Sequence, residues 1–172
     1  MIIWITGLSG SGKTTLGRSL YTFYKKKFTN TLWFDGETTN LLTDNKRSYD
    51  KKSRINQLKK NIKFYEFCYK QKINLIVSCL YIDKNFEKKN KKKFKRYFQI
   101  YLKANINDLI KRDTKQMYKK NLKKIKPNIV GYDIKWSGPK NSNMIIKNSY
   151  ERNLKLITKK IIDKTKNNFN KF

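Results

Sequence analysis

The strongest chemical signal lies at residues 7–14, GLSGSGKT, which satisfy the pattern G-x-x-x-x-G-K-[ST] in full. They follow an apolar run at residues 2–6 and open a helical pattern, which is the context that a phosphate-binding loop requires. Glycines let successive backbone N–H groups surround phosphate oxygens, and the start of a helix adds a favourable dipole. Lys13 would reach the β- and γ-phosphates, and the Thr14 hydroxyl would bind Mg²⁺. The loop therefore predicts binding of a nucleoside triphosphate.

Charged residues at two other places could take part in phosphoryl transfer. Asp35-Gly36-Glu37 follows the second apolar run. A carboxylate there could accept the proton of an attacking hydroxyl or hold a Mg²⁺-bound water. An Asp-Gly turn with a solvated glutamate is the simpler alternative. Arg112 and Lys115 lie near the end of a predicted helix, where cations could neutralise a transferring phosphoryl group. Because the chain is so basic, Arg112 and Lys115 could equally well be solvated surface charges without a catalytic role.

The composition limits which chemistry is available. The 172 residues include 42 Lys and Arg, 12 Asp and Glu and no His, so the net charge is +30. Histidine bases and ligands are thereby excluded, and acid–base chemistry must come from carboxylates, Lys, Tyr, Cys or water. Cys68 and Cys79 lack the CxxC spacing of zinc or redox sites. We expect them to be reduced thiols of a cytosolic protein.

The net charge also raises the question of nucleic-acid binding, because clustered Lys releases counterions from phosphate backbones. The densest run, residues 88–96, reads KKNKKKFKR. However, Lys is abundant throughout the chain, and Arg, the better residue for bidentate phosphate contacts, occurs only six times. We therefore do not expect nucleic acid to be a partner. The field of the chain would instead attract small polyanionic substrates.

Hydrophobic patterns predict strands that alternate with helices. The predicted strands are residues 2–6, 32–34, 74–80, 97–102 and 144–146. One predicted helix begins at residue 14, and the others cover residues 50–71, 107–118 and 149–165. This alternation predicts an α/β fold with a parallel β-sheet core and helices on both faces. Residues 119–143 lack periodicity and are predicted to form a long loop or lid. The final seven residues, KNNFNKF, are expected to be disordered.

Length and absent signals narrow the class of protein. The sequence has no apolar run of 18 residues, and its start, MIIWITG, lacks the charged region of a signal peptide. We expect one cytoplasmic domain, residues 1–172, without a membrane partner. The N-K-x-D motif of GTPases is absent, and motor ATPases usually need a second domain. A small-molecule kinase is therefore favoured over a non-catalytic binding domain or a bare ATPase.

Several motifs of this chain resemble motifs of the adenylylsulfate (APS) kinase family and occur in the same order. The family's patterns are GLSGSGKST, DGDxxR, DRxENIRR, ISPY, RDxKGLY and FTGIDxPYExP. Here GLSGSGKTT is nearly verbatim, RDTKQMYKK resembles RDxKGLY, and VGYDIKWSGP resembles the last motif through Gly131, Asp133 and Pro139. The resemblance covers roughly residues 3–147 and implies the P-loop kinase fold. Members of that family transfer the γ-phosphate of ATP, with Mg²⁺, to the ribose 3′-hydroxyl of adenosine 5′-phosphosulfate.

The resemblance implies a role for each matching residue. Lys13, Asp35, Glu37 and Lys115 would be catalytic, and Lys115 would belong to a lid, residues 113–143, that closes over both nucleotides. Family members are commonly homodimers, so a homodimer is expected. The implied ATP-binding residues are Gly7, Leu8, Ser9, Gly10, Ser11, Gly12, Lys13, Thr14, Thr15 and Arg112, with Thr14 as the Mg²⁺ ligand.

The acceptor side departs from the family pattern. Asn40 stands in place of the Arg of DGDxxR, Gln57 in place of an Asn, and Tyr49 and Ile129 in place of two Phe rings that sandwich adenine. The implied acceptor-binding residues are Asp35, Asn40, Tyr49, Arg54, Gln57, Tyr81, Lys115 and Ile129. The first candidate acceptor is APS. The alternative is another nucleotide conjugate, such as the cytidine diphosphoramidate of bacterial capsule pathways, because a pyrimidine needs less stacking surface.

Overall fold

The core of the protein is a parallel β-sheet. A computed structural model describes residues 1–36, 50–83, 85–113, 116, 118, 128–147 and 153–169. Within this part of the chain the sheet has five strands in the order β2-β3-β1-β4-β5, and each neighbouring pair is parallel. The strands are β1 (Ile2–Thr6), β2 (Thr31–Asp35), β3 (Asn74–Ser78), β4 (Tyr97–Lys103) and β5 (Met144–Lys147). The predicted parallel sheet is confirmed.

Helices connect the strands, as parallel neighbours require. They are α1 (Lys13–Lys27), α2 (Lys51–Lys70), α3 (Phe86–Lys93), α4 (Ile106–Arg112) and α5 (Leu154–Thr165), followed by a short 3₁₀ helix (Lys166–Asn168). The Asp50 side chain accepts a hydrogen bond from the Ser53 amide and so fixes the start of α2. No helix in the described ranges is long and apolar enough to cross a membrane.

Both faces of the sheet are covered. Side chains alternate along β1, so Ile3 and Ile5 pack on one face while Ile2 and Trp4 pack on the other. The first face is covered by side chains from α1, α5 and the C-terminal turn, namely Leu16, Leu20, Tyr24, Ile161 and Phe169. The second face is covered from α2, α3 and the residue after α3, namely Leu58, Tyr65, Cys68, Phe86 and Phe94. The predicted α/β class with helices on both faces is therefore confirmed.

Helix α3 was not among the predicted helices. Most of it lies in the basic run at residues 88–96, for which no helix was predicted. Its inner side is formed by Phe86 together with Glu87 and Asn90, all buried. Since two of these three residues are polar, the apolar period that marks an amphipathic helix is missing from the sequence.

The predicted helix over residues 107–118 is too long at its C-terminal end. Helix α4 ends at Arg112, because Asp113 has φ 17° and ψ 46° and leaves the helical region. Gln116 has φ 50°, which also interrupts a right-handed helix. The predicted helix is therefore interrupted before residue 118.

The expected disorder of residues 166–172 is wrong for residues 166–169, and residues 170–172 lie outside the described ranges. Phe169 is fully buried, and its ring stacks on Tyr24 of α1 with centroids 3.5 Å apart. The Tyr24 and Thr165 hydroxyls are also hydrogen-bonded, at 2.5 Å. A phenylalanine surrounded by Lys and Asn carries no local sign of this contact, because its partner lies at the other end of the chain.

Replacing Phe169 with alanine is expected to lower the free energy of unfolding by about 3–5 kcal/mol, the usual cost of truncating a buried aromatic ring. Urea denaturation measures this change. Phe67→Ala is the matched control, because Phe67 is 60% exposed, and it should cost less than about 1 kcal/mol. Equal losses in the two variants would contradict the docking of the C-terminal turn.

Candidate active site

The predicted site residues of the phosphate-binding loop and Asp35 lie at the carboxyl edge of the sheet, where ligands bind in open α/β folds. Residues 7–12, here called the phosphate loop, follow β1 directly. Asp35 ends β2, and its register partner Ser78 ends β3. Because β3 lies between β1 and β2 in the sheet, the phosphate loop and Asp35 face the same edge.

The phosphate loop has a backbone that only glycine tolerates at two positions. Gly12 has φ 90°, a left-handed conformation that L side chains rarely adopt. A Cβ on Gly7 would lie 2.6 Å from the Leu102 carbonyl oxygen and 2.7 Å from the Ser11 Oγ. The Ser11 amide donates to the Leu8 carbonyl at 3.2 Å, which closes the turn. The loop is therefore a cradle of main-chain atoms, the form that suits a phosphate group.

Helix α1 begins directly after this loop. Gly12 precedes the helix and has no side chain to cap it, so no residue at that position competes for the first-turn amides. Thr14 is half-buried and Thr15 is exposed in the first turn. An uncapped helix start beside a glycine loop suits an anionic ligand.

The side chain of Lys13 is hydrogen-bonded to the phosphate loop, and its main chain is hydrogen-bonded to the end of β3. The Lys13 Nζ donates to the Leu8 carbonyl at 2.8 Å. The Ser78 Oγ donates to the Lys13 carbonyl at 3.1 Å and accepts from the Trp33 Nε1 at 3.2 Å. Gly17 allows this close approach, because a Cβ there would lie 2.1 Å from the Ser78 Oγ. Ser78 was not among the predicted site residues, although its hydroxyl stands near the end of a predicted apolar strand.

Asp35 is the predicted carboxylate nearest to this edge within the described ranges. It is 6% exposed and ends a strand that is hydrogen-bonded to β3 along its whole length. Such burial fixes the side chain, and a fixed carboxylate is what proton transfer from a bound hydroxyl requires. Glu37, Asn40, Tyr49 and Lys115 lie outside the described residues, so their roles stay predictions.

Helix α2 carries two of the predicted acceptor-binding residues. The Arg54 Nη2 donates to the Asn128 carbonyl at 3.0 Å, and the Gln57 Nε2 donates to the Asn61 Oδ1 at 2.8 Å. Arg54 thus joins α2 to residues 128–139, here called the clasp loop. Both side chains are half-buried.

Tyr81 and Ile129, which were also predicted to bind the acceptor, have buried side chains. Tyr81 is 5% exposed, and its ring stacks on Phe86 with centroids 4.2 Å apart. Ile129 is 3% exposed and packs in a cluster that contains Leu8 of the phosphate loop. Their predicted roles are not tested by this packing, but neither position offers an exposed ring to an acceptor base.

The segment after α4 contacts the phosphate loop through a residue that the predicted ligand set omitted. The Tyr118 hydroxyl donates to the Ser9 carbonyl at 3.1 Å, and the Tyr118 amide donates to the Asp113 Oδ1 at 3.1 Å. Burial and, less strongly, the Asp113 charge raise the pKa of Tyr118 to about 12. The hydroxyl therefore keeps its proton at neutral pH and remains a donor. Arg112, at the end of α4, is half-buried.

Comparisons with known proteins agree with the fold and the motifs. The sequence model of adenylylsulphate kinase matches residues 1–147. A "Cytidine diphosphoramidate kinase" of Campylobacter jejuni is 37% identical over 163 residues, 95% of each chain. A "Probable adenylyl-sulfate kinase" of Aeropyrum pernix is 25% identical over 163 residues, 90% of this chain and 88% of the relative.

A solved structure supports the same assignment at the level of the fold. The Mycobacterium tuberculosis APS kinase has a TM-score of 0.79 at 20% identity, over 94% of this chain and 95% of that one. The family match and the named relatives point to transfer of a phosphoryl group to a hydroxyl acceptor. The chain belongs to the adenylylsulphate kinase family and is a phosphotransferase with an alcohol group as acceptor.

Proposed function

We propose that this chain transfers the γ-phosphate of ATP to a ribose hydroxyl of a nucleotide conjugate, and that the conjugate is cytidine diphosphoramidate. One observation carries the choice of acceptor. The relative named for that substrate is 37% identical over 95% of this chain, whereas the Aeropyrum pernix relative named for adenylyl sulfate is 25% identical over 90%. The comparison therefore favours cytidine diphosphoramidate, which from the sequence alone was the alternative to APS.

On the donor side, the main-chain cradle of the phosphate loop would hold the ATP phosphates. A Cβ at Gly7 would collide with the Leu102 carbonyl oxygen and the Ser11 Oγ, so the loop keeps this form only with glycine at residue 7. The Lys13 ammonium would move from the Leu8 carbonyl to the phosphates and stabilise the charge of the transferring group.

Magnesium is the metal that this donor set fits. The Thr14 hydroxyl, in the first turn of α1, and the Asp35 carboxylate are hard oxygen ligands of the kind that Mg²⁺ prefers. The ion supplies neutralisation of phosphate charge when it is bound. Thr14 would hold it directly, and Asp35 would hold one of its waters or the acceptor hydroxyl.

On the acceptor side, Asp35 would orient the ribose hydroxyl and take its proton. The altered positions support a smaller base than adenine. Ile129 has no ring and is buried against the phosphate loop, so at most one aromatic side chain, Tyr49, would stack on the base. Stacking contributes about 1–3 kcal/mol per base, and a pyrimidine has less surface to lose.

Adenosine 5′-phosphosulfate is the second candidate acceptor. It is favoured by the family model, which matches residues 1–147, and by the name of the Aeropyrum pernix relative. In that case lysines near the site, such as Lys59 or Lys60 of α2, would replace the guanidinium lost at residue 40.

An ATP-consumption assay with Mg²⁺ separates these candidates. Purified protein is given cytidine diphosphoramidate, APS or no acceptor. We expect saturable turnover with the cytidine compound and a kcat/KM at least about tenfold lower with APS, the size of one lost stacking contact. Turnover with APS alone would instead select the second candidate, and equal ATP consumption without an acceptor would indicate a bare ATPase.

A further inference from the structure

The main chain just after β3 is held by side chains from two directions. Tyr81 lies three residues beyond Ser78, at the edge of the sheet that carries Asp35. The Tyr81 hydroxyl is bonded to Gln99 of β4, while the Tyr81 carbonyl accepts from the Trp136 Nε1 of the clasp loop at 2.8 Å. A single residue is thus bonded to the sheet interior by its side chain and to a surface loop by its backbone.

The interior contact is built on a buried amide. Gln99 is fully buried, and its Nε2 donates to the Tyr81 hydroxyl and to the Ser142 Oγ, each at 2.9 Å. Its Oε1 accepts from the Tyr97 hydroxyl at 2.6 Å. A side chain with three such bonds has one orientation, so the Tyr81 ring has one position.

The surface contact is also fixed. The Trp136 ring packs edge-to-face on Tyr101, with centroids 5.6 Å apart. Two residues later, a Cβ on Gly138 would lie 2.7 Å from the Tyr101 hydroxyl, so the loop is seated closely on that ring. At its other end the clasp loop packs on the donor side, because a Cβ on Gly131 would lie 2.7 Å from Leu8.

We propose that Trp136 is a positioning residue for the acceptor: its indole N–H fixes residues 79–83, and Gln99 supports the same segment from the interior. This inference rests on the proposed function. The Trp136 ring packs against the cluster that contains Leu8 of the phosphate loop, and a phenylalanine at residue 136 would keep an aromatic ring there. The indole N–H is bonded to Tyr81, whereas the phosphate loop is bonded through Lys13 to Leu8 and Ser78. Loss of the indole donor therefore affects acceptor binding and leaves ATP binding unchanged.

Trp136→Phe tests this assignment, because it keeps an aromatic ring on Tyr101 and removes the donor. We expect the acceptor KM to rise about fivefold to tenfold, the size of one buried hydrogen bond, with the ATP KM within twofold. Tyr132→Phe is the control in the same loop, since Tyr132 is 47% exposed, and both KM values should stay within twofold of wild type. A rise of both KM values in Trp136→Phe would overturn the proposal.

Amide hydrogen exchange provides a readout that needs no acceptor. In Trp136→Phe, exchange of residues 79–83 should become about fivefold to tenfold faster while β1 is unchanged. Unchanged exchange at residues 79–83 would overturn the proposal, whatever the kinetics show. Gln99→Met should produce the same two effects. If wild-type protein uses neither candidate acceptor, the proposed function fails, and the exchange measurement still decides whether Trp136 holds this segment.

Discussion

Lys13→Ala is expected to lower kcat by about a thousandfold while the fold survives. Removing one preorganised donor from a transition state costs about 10²–10³ in kcat, and Lys13 also carries a full charge. The fold should survive because the bond between Ser78 and residue 13 uses the main-chain carbonyl, which alanine keeps. Steady-state kinetics and thermal unfolding together measure both parts of this prediction.

Lys26→Ala is the matched control for Lys13→Ala. Lys26 lies in the last turn of the same helix and is exposed, so its loss removes the same charge far from the phosphate loop. Its kcat should stay within about twofold of wild type. A Lys13→Ala protein with kcat within about tenfold of wild type would show that the phosphate loop does not stabilise the transition state as argued.

Asp35→Asn is expected to lower kcat by about 10²–10⁴, the usual contribution of a positioned proton acceptor. The substitution keeps the shape of a side chain that is 6% exposed, so the end of β2 should be preserved. The ATP KM should change little, because the phosphates would be held by the backbone of the phosphate loop. Initial-rate kinetics with both substrates varied separate the two parameters.

Asp163→Asn is the control for Asp35→Asn. Asp163 lies on α5, away from the carboxyl edge, and its side chain is 54% exposed. It should leave kcat and both KM values unchanged. If Asp35→Asn also leaves kcat unchanged, Asp35 has no part in the mechanism and another group accepts the proton.

The features predicted correctly from the sequence are those with a local signal. The phosphate loop is a contiguous motif, and the strand predicted at residues 74–80 is a continuous apolar run, of which residues 74–78 form β3 and are buried. Alternating strands and helices permit few topologies, so the parallel sheet followed from the order of the elements. The APS kinase resemblance combined several such motifs and is confirmed by the family match.

The features that the sequence did not predict depend on contacts between distant residues. Helix α3 has a polar inner side, and Phe169 finds its partner on α1. Trp136 lies in residues 119–143, which lack periodicity, and Tyr118 ends the predicted helix over residues 107–118. Neither pattern indicated the bonds of these two residues to Tyr81 and Ser9. The acceptor side depends on such contacts and differs from the family pattern at single positions. The identity of the acceptor is therefore harder to predict from the sequence than the fold or the phosphate loop.

The most direct test of the central claim is to measure, in one reaction, the ADP released and the phosphorylated acceptor formed. Phosphorus NMR or mass spectrometry identifies the product with cytidine diphosphoramidate as acceptor. The account predicts equal amounts of ADP and of a product with one added phosphate on the ribose. Release of ADP without a phosphorylated product, from either candidate acceptor, would contradict phosphoryl transfer to a nucleotide conjugate.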